Sequence, residues 1–262
     1  MFLSLYRYRR YILRNAWNDL RLRYAGSGMG IFWHILLPLA QILIYTVVFS
    51  RLMSLRSPGM AANPYGFVIY LCSGLLPWLA FSNSVINGSN TFLANAKYLQ
   101  KLPIPEEIFV ARSAMADMFG LMIYIILLMI VIPMLGHALG WSSLLLPLAA
   151  LLFQLFAFGL QLLLAPLRVF LRDIGYMLGV VMQLWMWMLP IVYVETILPP
   201  DFQSLLQWNP AYVYIRSFRD LLLQNQIPSW TAWGAMLAWA TVFLLLGYTV
   251  LQRLRPELRD VL

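Results

Sequence analysis

Charge is the scarcest property of this sequence. Of 262 residues only 11% are Asp, Glu, Lys or Arg, where soluble domains carry about 25%. The apolar set makes up 62%, against roughly 45–50% in soluble domains. So few charges cannot cover that much apolar surface, which excludes a soluble globule. Disordered and collagen-like chains fail on the same numbers. Cysteine is almost missing. Cys72 stands alone, so an internal disulfide framework and a cysteine-clustered metal site are both excluded. Lysine is nearly missing too: Lys97 follows Ala96 and Lys101 follows Gln100. A phosphate-binding loop needs Gly-Lys and then a hydroxyl residue, so that backbone N–H groups and the Lys hold phosphates. This chain carries no ATPase site of its own. Nor does it hold a His/Cys/Asp cluster at metal spacing or a Ser–His–acid set, which leaves a membrane enzyme little to work with. Buried acids of the kind an ion-coupled pump uses are also few. Asp117 is the one acid clearly inside an apolar stretch, and it lies close to Arg112.

What the sequence does have is long uncharged runs. Residues 29–50 and 57–96 contain no Asp, Glu, Lys or Arg, and the second run is densest from Tyr65 to Ile86. Met118 to Leu167 is 50 residues without a charge, long enough for two helices that each need about 20 residues to cross the hydrocarbon. Pro133, Gly136, His137 and Gly140 supply the break between them. Two more runs lie at 174–194 and 221–252. A closed barrel would need alternating polarity, and Ile123–Ile132 does not alternate. The fold class predicted is therefore all-α integral membrane, with six transmembrane helices at about 29–50, 65–88, 108–133, 142–167, 174–194 and 230–252.

The net charge of +8 reads as orientation and not as affinity for nucleic acid. Six spans put both termini on one side. Arg51, Arg56, Arg216 and Arg219 fall on the other, and the remaining 14 of the 18 cations share the side of the termini. Cytoplasmic loops collect Lys and Arg, so both termini are predicted to be cytoplasmic. Residues 1–23 are punctuated by Arg with no apolar core, unlike a cleavable signal peptide.

Three segments do not read as spans. Residues 1–28 mix Arg7, Arg10, Arg14 and Arg21 with Tyr6, Tyr11, Ile12, Trp17 and Leu20, the pattern of a basic amphipathic helix lying in the cytoplasmic interface. It either anchors the topology or gates a substrate path. Asn90 to Pro105 is the one long cytoplasmic loop. Phe92, Ala96 and Leu99 give it one apolar helical face, and Pro103 and Pro105 end it. Glu195 to Ser229 lies on the outer side, where Asn209-Pro210 is a helix start. The aromatic-rich stretch that follows is too short to span, which fits re-entrant outer elements between the fifth and sixth spans. Arg216 and Asp220, four apart, are able to pair there.

Aromatics are the positive signal, with 15 Phe, 10 Trp and 14 Tyr. Interfacial belts and core packing account for most of them. A ring face also lets the C–H faces of a sugar slide without deep binding wells, whereas an ion filter needs carbonyl or carboxylate rings. Phe32, Trp33, Trp185, Trp187, Tyr193, Trp208 and Tyr212 are the candidate path residues. Trp185 and Trp187 are about 200° apart on a straight helix, so one lines the path and the other packs. Carried on to Tyr193, the same helix puts Trp185 nearer to Tyr193's side, which makes Trp185 the path-facing choice.

Arg21-Leu-Arg23-Tyr24-Ala-Gly26-Ser27-Gly-Met-Gly30-Ile-Phe-Trp33 followed by Pro38, Leu102-Pro103-Ile104-Pro105, Phe170-Leu171-Arg172-Asp173, and Trp208-Asn209-Pro210 with Arg219-Asp220-Leu221 stand in this order. Together they resemble the ABC-2 type permeases that export polysaccharides, over essentially the whole chain. The resemblance implies a homodimer working with two copies of a separate ATP-binding subunit, which would bind the ATP and Mg that this chain does not. It implies a lipid-linked glycan substrate such as O-antigen, capsule or wall teichoic acid, and a place in the bacterial cytoplasmic membrane. It also makes Asn90–Leu102 the coupling helix, with Asn95, Lys97, Tyr98, Gln100 and Lys101 toward the ATPase. Arg21 and Arg23, where the interfacial helix meets the first span, are candidates for holding the lipid diphosphate, because a guanidinium grips phosphate oxygens in pairs. A drug or lipid permease of the same type is the alternative. An integral-membrane enzyme of glycolipid synthesis would have to rely on Glu106 and Glu107, adjacent residues that point to different sides of a helix.

Overall fold

A computed structural model describes residues 1–22, 28–52 and 63–261; Arg23 and Arg56 lie outside them. Two short helices, α1 (Phe2–Arg7) and α2 (Arg9–Leu22), precede a 3-10 turn at Gly30–Phe32 and α3 (Trp33–Leu52). Then come α4 (Gly66–Ser89), the two small helices α5 (Thr91–Ala94) and α6 (Ala96–Lys101), and α7 (Glu106–Met134). A 3-10 turn at Trp141–Leu145 runs into α8 (Leu146–Phe170), followed by α9 (Ile174–Trp187). The chain ends in α10 (Pro200–Leu206), α11 (Pro210–Leu222) and α12 (Trp230–Val261). No strand occurs among the described residues, as expected where lipid leaves the backbone only its own carbonyls as partners.

Among the described residues, four helical units are long and apolar enough to cross a membrane: Gly66–Ser89, Glu106–Met134, Trp141–Phe170 and Trp230–Leu258. Trp33–Val48 and Ile174–Trp187 are apolar but shorter. The fifth predicted span, 174–194, is helical only as far as Trp187. Pro190 lacks an N–H and disfavours helix in the residue before it, and the chain from Met188 to Tyr193 turns irregularly. The loop at 90–105 is two helices broken at Asn95, not one.

Of the long helices, α4, α8 and α12 run in one direction and α7 in the other, and cross-links at each end hold them. At one end the Asn63 side chain donates to the Leu135 carbonyl at 3.0 Å and Ser142 to the Leu221 carbonyl at 3.2 Å. At the other end Arg168 donates to Ser89 at 2.8 Å. In the middle, α8 and α12 form the most extensive helix pair. A Cβ on Gly159 would lie 2.6 Å from the Leu244 nitrogen, and one on Gly247 would meet the Gly159 carbonyl oxygen. Small residues permit this approach, which packing in lipid favours. The core beside them is aromatic: Phe81 stacks on Phe153 with centroids 4.4 Å apart, and Phe156 lies parallel to Tyr214 at 5.4 Å.

Candidate functional site

At the end that holds α5 and α6, the apolar face of the small helices turns inward. Phe92 and Leu99 are fully buried against Phe109, Val110, Leu162 and Leu258. The opposite face is open: Lys97, Tyr98, Gln100 and Lys101 are exposed. The predicted apolar face therefore docks on its own chain, and what is presented outward is basic and polar.

Asn95, at the break between α5 and α6, is half-buried and does a different task. Its side chain donates to the Thr91 carbonyl at 2.8 Å and accepts from Arg112 of α7 at 2.8 Å. Arg112 also holds Asp19 of α2 at 2.7 Å. One guanidinium thus ties α2, the α5–α6 segment and α7 together, using the fork geometry that a lysine lacks. A cavity of about 550 Å³ opens beside it, lined by Asp19, Asn87, Asn90, Arg112 and Arg168 among others. Arg21 is exposed in the last turn of α2.

Glu106 and Glu107 open α7, where two carboxylates suit the positive end of the helix dipole. They do not diverge. Both reach Arg255 of α12, Glu106 at 2.7 Å and Glu107 through a second nitrogen. Ser4 of α1 donates to Glu107 at 2.8 Å. In the first turn the side chains bend toward a common partner, so this pair works as a clamp and not as an acid–base couple.

The opposite end is organised by α11. Asn209 caps it by accepting from the Ala211 N–H at 3.2 Å, and also accepts from the Trp185 indole N–H at 2.9 Å. The Trp185 ring meets Trp78, Phe81 and Phe156 edge-on, with centroids 5.6, 6.0 and 6.3 Å away. Arg219 is 5% exposed. It donates to the carbonyls of Pro190 at 2.6 Å and Ile191 at 3.2 Å, while its guanidinium lies 3.7 Å from the Tyr70 ring centroid. The Tyr70 hydroxyl is within hydrogen-bonding distance of both the Pro190 and Tyr193 carbonyls. The irregular chain after α9 has its carbonyls satisfied by these two side chains.

Family comparison fits this bundle. The ABC-2 type transporter family matches residues 10–223. The chain belongs to that family. It is 27% identical over 211 residues to the O-antigen export system permease protein RfbA of Klebsiella pneumoniae, covering 80% of this chain and 78% of that protein. Against RfbA of Myxococcus xanthus the identity is 25% over 259 residues, covering 98% and 97%. The polysialic acid transport protein KpsM of Escherichia coli is 23% identical over 241 residues, covering 91% of each chain. With four apolar helices long enough to cross, this family member is a multi-pass membrane protein.

The path candidates of this ABC-2 chain divide by exposure. Phe32, Trp187 and Trp208 are exposed at 62%, 54% and 78%, whereas Tyr212 is buried at 6%. Trp33 and Tyr193 are half-buried. The preference for Trp185 over Trp187 assumed one straight helix out to Tyr193, and α9 stops at Trp187. Trp185 is held in the aromatic core and Trp187 is open. Trp185→Phe keeps a ring but removes the donor to Asn209, so thermal unfolding in detergent should show a loss of about 1 kcal/mol. Trp185→Leu should lose more, since it also empties the space among three rings. Equal stability of both variants and wild type would mean that the indole does not hold α11. Sequence reasoning counted Arg112 and Arg255 among the orientation charges and did not read Asp19; the one available signal was a carboxylate in the otherwise basic α2.

Proposed function

We propose that this chain is the transmembrane permease subunit of an ATP-driven exporter that moves a lipid-linked polysaccharide of the O-antigen or capsule type across the bacterial cytoplasmic membrane. Two copies act with two copies of an ATP-binding subunit, which supplies the ATP and Mg chemistry. Membership of the ABC-2 family and likeness to permeases named for O-antigen and polysialic acid support the reading. The observation that carries the coupling is the outward basic face of α5–α6 joined to Arg112.

In this reading both termini and α5–α6 are cytoplasmic, and α3 and α9 complete six spans. Lys97, Tyr98, Gln100 and Lys101 meet the ATPase. Their movement passes through Asn95 to Arg112, and so at once to α7 and to α2, which lies in the interface as the gate. Arg21 and Arg23 hold the diphosphate of the substrate. The aromatic core of one copy is closed by stacked rings, so the polymer path lies between copies, with Phe32, Trp187, Tyr193 and Trp208 as its surface. Re-entry of α11 is supported by depth: Arg219 approaches Gly74, eight residues into α4, or about 12 Å at 1.5 Å per residue.

Cysteines introduced at Lys97 and Lys101 should crosslink to the ATPase and react with impermeant reagents only from the cytoplasm. Labelling from the outside alone would overturn both the topology and the coupling role.

A further inference from the structure

Between α11 and α12, at the end capped by Asn209, the chain leaves an open cleft of about 490 Å³. We propose that this cleft is a saccharide subsite which holds hexose units of the polymer as it emerges, an inference that rests on the glycan-export reading.

The cleft is lined by Gln207, Arg216, Asp220, Gln224, Gln226 and Trp239. Amide, carboxylate and guanidinium groups each present two polar atoms side by side, which matches the spacing of neighbouring sugar hydroxyls. A tryptophan ring offers the apolar platform that the C–H face of a hexose stacks on. Their hydrogen-bonding capacity is unspent. Arg216 and Asp220 lie four apart on one face of α11, yet among the described residues no ion pair joins them; the Arg216 guanidinium donates only to the Tyr212 hydroxyl, at 3.5 Å. No described side-chain hydrogen bond engages Gln207, Gln224 or Gln226. Deeper in the lining, the Ser217 hydroxyl is buried at 1% exposure without a partner, and such a group is costly unless something pairs with it.

The wall of the cleft is also fixed in place. Asn225 takes a left-handed φ of 54°. It donates to the Ala138 carbonyl at 3.0 Å and accepts from the Gly140 N–H at 2.6 Å. Asparagine tolerates that conformation better than most residues. The loop bearing Gln224 and Gln226 is thereby pinned to the turn after α7, so little ordering is left to oppose binding.

The test uses the full chain in lipid nanodiscs, with oligosaccharide released by mild acid from the host's own exported glycan, measured by equilibrium dialysis. Wild type should bind. Asp220→Ala and Trp239→Leu should each weaken binding about tenfold, the effect of losing a charged hydrogen bond or a stacking platform. Gln226→Ala, on an exposed loop where folding is not at stake, should weaken it several-fold. Unchanged affinity in all three variants, or no binding by wild type, overturns the subsite. Deletion of the chain separates the two readings: export that continues without it overturns the export function, whereas export that stops while the variants bind normally overturns the subsite alone.

Discussion

Arg255→Ala should be among the most destabilising single changes in the chain, lowering stability by about 3 kcal/mol. Glu106 and Glu107 are 1% and 3% exposed, and both depend on the same guanidinium. Removing it leaves two buried carboxylates close together with their main counter-charge gone, and the cost is the uncompensated charge more than the lost attraction. Arg255 itself is 34% exposed at the side chain, so water that enters the gap keeps the loss from growing beyond that figure. The effect should spread, because Ser4 of α1 also donates to Glu107 and the N-terminal amine reaches Tyr248 of α12 at 3.3 Å. Thermal unfolding in detergent measures the first effect, and faster proteolysis at α1 reports the second. Adding Glu106→Gln and Glu107→Gln to Arg255→Ala should restore most of the loss, since neutral amides do not need the cation. A triple variant no more stable than Arg255→Ala would show that packing at Arg255, and not charge, is what matters.

That clamp illustrates what could be read in the sequence and what could not. Scarcity of charge and long uncharged runs announce a helical membrane protein by themselves, because lipid admits few backbone solutions. The break between α7 and α8 was equally legible: Pro133 and the glycines at 136 and 140 stand where the chain turns, and Gly136 does take a φ of +82°. Shortening of α9 was not, because apolar composition continues through Tyr193 while the helix stops before Pro190. Composition reports which residues tolerate lipid, not where backbone hydrogen bonds end. The choice between Trp185 and Trp187 likewise rested on a helix axis carried on to Tyr193, and α9 ends at Trp187.

Charges posed the opposite problem. A count of Lys and Arg sorts them by side and treats each as a signal to the membrane. In the folded chain several are structural instead: Arg112 joins three segments, Arg168 ties α8 to Ser89, and Arg219 sits deep against α4. Nothing in linear spacing reveals such pairings, since Asp19 and Arg112, or Glu107 and Arg255, are far apart along the chain. The exposed face of α5–α6 was legible because helical spacing separates Phe92 and Leu99 from Lys97 and Lys101. Which of those faces would be covered by the chain itself was not.

Arg219→Met should unfasten α11 and abolish most export at unchanged membrane level. Methionine fills similar length but donates nothing, so the Ile191 carbonyl loses its partner in a buried place, at about 1–3 kcal/mol, and the Pro190 carbonyl keeps only the Tyr70 hydroxyl. Arg219→Lys keeps the charge and should fall between, because a point cation can serve one carbonyl but cannot lie flat on Tyr70 and reach a second. Tyr70→Phe should be the mildest: it removes the hydroxyl shared by Pro190 and Tyr193 but leaves the ring under the guanidinium. The expected order of both unfolding temperature and export is therefore wild type, Tyr70→Phe, Arg219→Lys, Arg219→Met. Export is included because the irregular chain after α9 carries Tyr193 and follows directly on Trp187, so freeing its carbonyls moves the candidate path surface as well as α11. If Arg219→Met lost stability but exported normally, the clamp would be purely structural. If it matched wild type in both measurements, α11 would be held by its other contacts, the hydrogen bonds from Trp185 and Ser142 and the rings of Phe153 and Phe156.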